Sequence, residues 1–319
     1  MTALSYLTET VGGPRSRPTL VAVSPTCSLR PQVPLSKLTS FRVGGRAEWY
    51  VAPRSLEDLQ LTLQRARTEG WPVTVLGAGS NLLVSDRGLP GLAISTRYLR
   101  YTHIDGDTGR ITAAAGEPLP RLAWQAAEAG ASGFEWAVGI PGTVGGAVVM
   151  NAGAHRSSTA DVLREARVIN SDGSMEVLVP EDLDYQYRTS NLQGGDRLVV
   201  EATFDLVPGG DRHALKAATQ DHLERRHRTQ PYDRPSCGSV FRNPGPQAAG
   251  WLIERTGLKG YRIGGAMVAE RHANFILNCG NATASDIFRL IAHVRESVHD
   301  RWSLWLEPEV RVLGEFGGV

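Results

Sequence analysis

The chain has 319 residues, enough for two or three domains, each with a core of its own. Thirty-four basic side chains stand against thirty-three acidic ones, and a formal charge of +1 gives no reason to expect a nucleic acid or an anionic membrane as partner. Three cysteines without a C-x-x-C pair suit neither a disulfide scaffold nor a zinc site, and no apolar run approaches the length of a membrane span; the expectation is a soluble cytoplasmic protein without bound metal.

In chain order, residues 1–31 carry Pro14, Pro18 and Pro25 with no helical or strand period, and read as a flexible leader. Ala47–Val51 reads as a strand. Ser55 is a capping hydroxyl for a helix running to about Gly70, with Leu56, Leu59, Leu63 and Ala66 on one buried stripe. The strand Val73–Leu76 then enters Gly77-Ala-Gly-Ser-Asn-Leu-Leu-Val84, a strand, tight turn and strand. Short strands near Leu92–Ser95 and Arg110–Ala114 precede a helix from Leu119 to about Glu128, stopped by Gly130. Next comes the glycine-rich stretch Gly139-Ile-Pro-Gly-Thr-Val-Gly-Gly-Ala-Val-Val-Met-Asn-Ala-Gly-Ala154.

Glycine frees φ and lets a ligand approach backbone N–H groups without meeting a Cβ, so such loops hold phosphates. The spacing here fits neither G-x-G-x-x-G nor a P-loop, which disfavours the familiar nucleotide folds. The two glycine stretches together suit one extended diphosphate.

Further on, Ala166–Asn170 and Met175–Val179 read as strands joined by the hairpin signal Ser171-Asp-Gly-Ser174, followed by a strand at Leu198–Leu206. A compositional shift at Gly209-Gly-Asp211 marks a domain boundary. Beyond it are a helix from His213 ending in the basic cluster Arg225–Arg228, a helix near Gln247–Thr256, and apolar runs at Ile263–Val268 and Phe275–Leu277. A helix from Ser285 to about Asp300 follows, apolar at Ile287, Leu290, Ile291, Val294 and Val298, and then a last strand at Val310–Leu313.

Six motifs occur in the order of one family: Leu38-Thr-Ser-Phe-Arg-Val-Gly-Gly45, Leu76-Gly-Ala-Gly-Ser-Asn-Leu-Leu83, Gly139–Ala154, Tyr187-Arg-Thr-Ser190, Gly238-Ser-Val-Phe-Arg-Asn-Pro244 and Glu307-Pro-Glu-Val310. From about Leu35 onward the chain resembles the UDP-N-acetylenolpyruvoylglucosamine reductases. The resemblance implies an α+β fold: a two-lobed FAD-binding unit of the vanillyl-alcohol-oxidase (PCMH) type over 32–212, split near 100, an α+β substrate-binding domain over 213–305, and a C-terminal strand in 306–319 returning to the flavin side. It also implies non-covalent FAD, NADPH as hydride source, and a UDP-sugar whose enolpyruvyl group is reduced; a monomer is expected, though no residue pattern determines the oligomeric state.

Carried onto matching positions, the resemblance makes Ser239 the proton donor, Arg188 the carboxylate-binding arginine and Glu309 the catalytic glutamate. Glu307, two residues away, is expected on the same strand face. A glutamate beside a substrate carboxylate needs a raised pKa to stay protonated. FAD contacts are expected from Gly77, Gly79, Ser80, Asn81 and Leu82, from Pro141, Gly142, Thr143, Gly145 and Gly146, and from Asn151, Gly153 and Ala154. Substrate contacts are expected from Asn243, Arg226, Gln230 and His272. Cys237 departs from the small apolar residue expected before Gly238-Ser239 and reads as a buried filler. Only Asn191–Asp196 separates the arginine motif from the next strand, which leaves no room for a substrate-covering tyrosine loop. That is the short, type II form, and its cleft is expected to be closed by movement of the third domain. A flavin oxidase of the same fold and a non-catalytic nucleotide-binding module are the rival readings; the serine, arginine and glutamate set argues against both.

Overall fold

The computed structural model describes residues 20–317. The first lobe is a five-stranded sheet of order β1-β2-β3-β6-β4, built from β1 (Val21–Ala22), β2 (Ser28–Pro34), β3 (Arg46–Val51), β4 (Val73–Leu76) and β6 (Leu89–Ser95), with β3, β6 and β4 parallel. Between β3 and β4 runs α1 (Leu56–Thr68), whose N-terminus Ser55 caps by accepting the Asp58 N–H. Leu59, Leu63 and Ala66 are buried as the period requires; Leu56 is exposed instead, at the first turn.

The leader expectation is corrected from residue 20 onward. β2 pairs along β3, and Leu29 is fully buried there. Its prolines hid the strand, but β1 reaches only Ser28 and Leu29, so Pro31 and Pro34 stand where no outer ladder bond is required. Residues 1–19 lie outside the described residues.

The second lobe is an antiparallel sheet, β12-β11-β13-β8-β7, made of β7 (Thr102–Asp105), β8 (Arg110–Ala114), β11 (Leu163–Ile169), β12 (Met175–Leu178) and β13 (Leu198–Asp205). Its core takes in α2 (Leu119–Ala129), which ends at Gly130 with φ 79°, and α3 (Val144–Met150). α3 emerges from a stretch that reads as loop, because glycine is a poor helix former. Packing requires it: a Cβ on Gly145 would come within 2.9 Å of the Ala115 Cβ. After α3 a hairpin of β9 (Gly153–Ala154) and β10 (Ser157–Ser158) turns back.

α4 (Arg212–Thr229) corrects the expected boundary near 213. It packs on α2 and on the short helical turn Glu135–Gly139, with Leu223 against the second-lobe core, so it belongs to that lobe and the third domain begins after it. That domain holds α5 (Ala249–Arg255), a sheet of β14 (Arg262–Ile263), β15 (Ala266–Val268) and β16 (Ile276–Asn278), and α6 (Ala284–Trp302). Its core includes Phe41, Val43 and Leu83 of the first lobe. β17 (Arg311–Leu313) then runs parallel to β5 (Leu82–Val84), which carries the end of the chain back beside the first glycine turn. No helix among the described residues is long and apolar enough to cross a membrane.

Candidate active site

The two glycine stretches meet. Ser80 Oγ donates to the Pro141 carbonyl at 2.6 Å, and a Cβ on Gly77 would fall 2.7 Å from Thr143 Oγ1. Gly79, at φ 70°, leaves room for the Leu38 carbonyl, which any Cβ would strike. Thr143 caps α3, accepting the Gly146 N–H, while the Val144 and Gly145 N–H groups donate to the Glu117 and Ala115 carbonyls, so the helix start is satisfied within the protein and it is the two glycine turns that line one cleft of about 590 Å³. Its far wall is apolar. Val73 and Val75, on edge strand β4, are 39% and 43% exposed because they face this cleft rather than a core. An anion-holding cradle beside an apolar wall fits a flavin dinucleotide. Gly77, Gly79, Ser80, Asn81, Leu82, Pro141, Gly142, Thr143, Gly145, Gly146, Gly153 and Ala154 all line it.

Ser239, Arg188 and Glu309 line the same cleft from three separate segments. Arg188 sits in a tight turn at φ 59°, where its Nη2 donates to the Gly153 carbonyl and its Nε lies 3.2 Å from Glu309 Oε1. Burial pushes the Glu309 carboxyl above the ordinary range, opposed by the Arg188, Arg242 and Arg226 cations. Gly238 precedes Ser239 at φ 83°, with open space where a Cβ would stand. The segment is held by Asn274, whose side chain accepts the Phe241 N–H and donates to the Phe241 carbonyl.

Glu307 does not share the face of Glu309. Its side chain is 76% exposed and lies 3.8 Å from Arg242, because regular pairing with β5 starts only at Arg311 and strand alternation does not reach back to 307. Asn81 ties the first turn to this segment, its side-chain amide donating to the Glu309 carbonyl at 3.0 Å.

Two expected contacts lie elsewhere. Asn151 is buried at the C-cap of α3; it donates to the Gln186 carbonyl and accepts from Ala160 N–H, and so supports the Arg188 turn from behind instead of lining the cleft. His272 lies off the cleft wall. Its Nδ1 accepts the Asn274 N–H at 3.3 Å and its ring packs on Phe275, so it holds the turn that carries Asn274. Asn243, Arg226 and Gln230 do line the cleft. Arg226 lies across the glycine stretch: a Cβ on Gly139 would meet its Cδ at 2.5 Å, and its Nε donates to Tyr232 Oη at 2.8 Å.

Sequence reading passed over a strut behind Arg188. Gln193 donates to the Arg188 and Val149 carbonyls and accepts from Arg311 Nη1 at 2.7 Å, while Arg242 Nη2 also donates to the Arg188 carbonyl. Arg242 lies inside a quoted motif, which was a usable signal; Gln193 and Arg311 had none.

A two-lobed fold with paired glycine turns at one cleft defines an FAD-binding oxidoreductase, and residues 47–178 match the family model described as FAD binding domain. Residues 230–313 match the C-terminal domain of UDP-N-acetylenolpyruvoylglucosamine reductase. The UDP-N-acetylenolpyruvoylglucosamine reductase of Nostoc punctiforme is 61% identical over 92% of this chain and 88% of its own length, and that of Acaryochloris marina 57% over 95% and 98%. The crystal structure of the Thermus caldophilus UDP-N-acetylenolpyruvylglucosamine reductase superposes with a TM-score of 0.77 at 37% identity, covering 90% of this chain and all of that one. The chain belongs to the UDP-N-acetylenolpyruvoylglucosamine reductase family.

Proposed function

We propose that the protein reduces the enolpyruvyl group of UDP-N-acetylglucosamine enolpyruvate to UDP-N-acetylmuramate for peptidoglycan precursor synthesis, with NADPH as hydride source. One observation carries the reading: Ser239, Arg188 and Glu309, from three segments, converge on the cleft that the two glycine turns line. FAD, when bound, supplies the hydride that reaches the terminal vinyl carbon. The chain's own residues handle the charge and the proton that follow.

Negative charge builds on the carbon beside the substrate carboxylate. Arg188, held at its backbone and at Gly153, offers a planar guanidinium to that carboxylate. A protonated Glu309 donates a hydrogen bond where an ionised one would repel it. Ser239 gives its hydroxyl proton to the carbon; a weak acid suffices because the carbanion is strongly basic, and solvent restores the proton. Gly77 to Leu82 and Pro141 to Gly146 hold the cofactor, Asn243, Arg226 and Gln230 meet the sugar nucleotide, and both nucleotides use the one cleft in turn. Domain limits of about 20–229 for the two lobes and 230–305 for the substrate domain belong to the same reading, and the packing of α4 on α2 supports them.

The test is anaerobic. NADPH should bleach the flavin of the purified protein, and UDP-N-acetylglucosamine enolpyruvate should restore the oxidised spectrum with formation of UDP-N-acetylmuramate. Restoration by oxygen alone would favour an oxidase, and failure to take up FAD would remove the glycine-turn argument.

A further inference from the structure

Beside Arg226 and Ala154, which line the cleft, the second lobe carries His155, Arg156, His222 and Arg225, which the proposed chemistry leaves unused. His155 and Arg156 form the two-residue tip of the β9–β10 hairpin, with φ 53° and 69°. Both tip residues at positive φ is the type I′ geometry, which favours Asn-Gly. A His-Arg tip places two side chains where L residues are strained, and strain kept in this way points to a use for those side chains.

The tip lies against α4. The His155 and His222 rings stand 4.2 Å apart, and Arg225 and Arg226 come three and four residues after His222 on one helix face. Burial first, then His222, Arg225 and Arg226, hold the His155 pKa below its ordinary value, with Asp221 the opposing charge. The field at the tip is positive, and His222 Nδ1 is a buried nitrogen with no partner among the described residues.

We infer that the hairpin tip His155-Arg156 and the α4 face His222-Arg225 form a phosphate-monoester subsite that takes the 2′-phosphate of NADPH and so selects it over NADH. A diphosphate lies between two halves of its ligand, inside the cleft; a terminal dianion is the group that reaches past Arg226. The UDP-sugar carries no such group. The inference rests on the reading of NADPH as hydride donor.

The test compares the wild-type flavoprotein with His155→Asn/Arg156→Gly and with Arg225→Ala. The double change installs the favoured turn pair, so its melting temperature should hold or rise while the His155 ring donor and the Arg156 cation are lost. Adenosine 2′,5′-bisphosphate and adenosine 5′-phosphate are titrated by calorimetry, and flavin bleaching by NADPH and by NADH is followed without oxygen. The wild type should bind the bisphosphate more tightly. In each variant that preference, and the NADPH-to-NADH rate ratio, should fall on the order of tenfold, the scale of a lost charge-assisted bond. Ratios unchanged in both variants would overturn the inference and leave NADPH standing as donor. A flavin bleached by neither nucleotide would overturn the donor reading and the inference with it.

Discussion

Arg188 and Glu309 face each other across the cleft at 3.2 Å, side chains only 19% and 18% exposed, one from the second lobe and the other from the segment that returns to the first. Burial nevertheless raises the glutamate's pKa, so desolvation outweighs the attraction of the guanidinium. Below the raised value Glu309 is protonated; as pH rises through it, a second negative charge confronts the substrate carboxylate. Enolpyruvyl reduction should therefore fall on the alkaline side. The same shift makes the folded state lose stability as pH rises from the ordinary carboxylate range through the raised value. Glu309→Gln keeps a donor and should abolish that limb while retaining roughly tenfold more activity than Glu309→Ala. Rapid-mixing traces of flavin reoxidation against pH measure this, and equal, complete loss in two folded variants would sink it.

Ser239 should divide the half-reactions. Ser239→Ala leaves the cradle of glycine turns untouched, so bleaching by the hydride donor should proceed at close to the wild-type rate. Reoxidation by the enolpyruvyl substrate should slow by about 10²–10⁴, the usual contribution of a placed proton donor. An equal slowing of both would remove the serine from proton transfer.

The glycine turns were legible from local order, since glycine stands where a Cβ would strike Leu38 or Thr143, whereas Ser239, Arg188 and Glu309 were singled out only by the resemblance of their motifs to the family and stand together on the cleft. Long-range partners were not legible. Gln193 and Arg311 meet only because β17 returns beside β5, and no local pattern encodes that pairing. Asn151 misled for the opposite reason: it sits inside a motif, yet its place at a left-handed C-cap turns its amide toward Gln186. The first strands escaped notice because proline usually signals loop, and α4 was misassigned because composition marks where a linker begins but not which core a helix joins.

Cys237 should prove inert. It is 5% exposed within the core that holds Phe41, Leu83 and Phe241, and burial first, then the Glu309 charge, drives its thiol well above the ordinary range. Alkylating agents should modify the part-exposed Cys279 long before Cys237 in the folded protein. Cys237→Ala should keep turnover within about twofold and cost about 1 kcal/mol for the small void. A large loss of turnover in a folded Cys237→Ala protein would give the thiol a role in the reaction.

The third domain is fastened to the first lobe at Asp86. Its carboxylate accepts the Ala284 and Ser285 N–H groups at 2.8 Å each and the Ser285 hydroxyl at 2.7 Å, so a first-lobe residue caps α6 from outside the helix. Asn278 adds a bond to the Phe41 carbonyl, and the apolar core runs through the same junction. Toward the second lobe the ties at the cleft are polar: Arg188 to Glu309, Arg226 to Tyr232 and Arg311 to Gln193. The first lobe also shares an apolar core with the second, where Leu92 and Ile94 meet Ile169, Leu198 and Val200, so closure is expected at the polar ties across the cleft while both apolar junctions of the first lobe are kept. Asp86→Ala should lower stability by about 1–2 kcal/mol through loss of the cap, seen as a melting shift of a few degrees. Substrate should slow amide exchange at the Tyr187–Gln193 turn and around Tyr232, and leave the Asp86–α6 junction as protected as before. Protection gained at that junction instead would mean that the third domain swings on the first lobe, and the cap would then be a latch that opens.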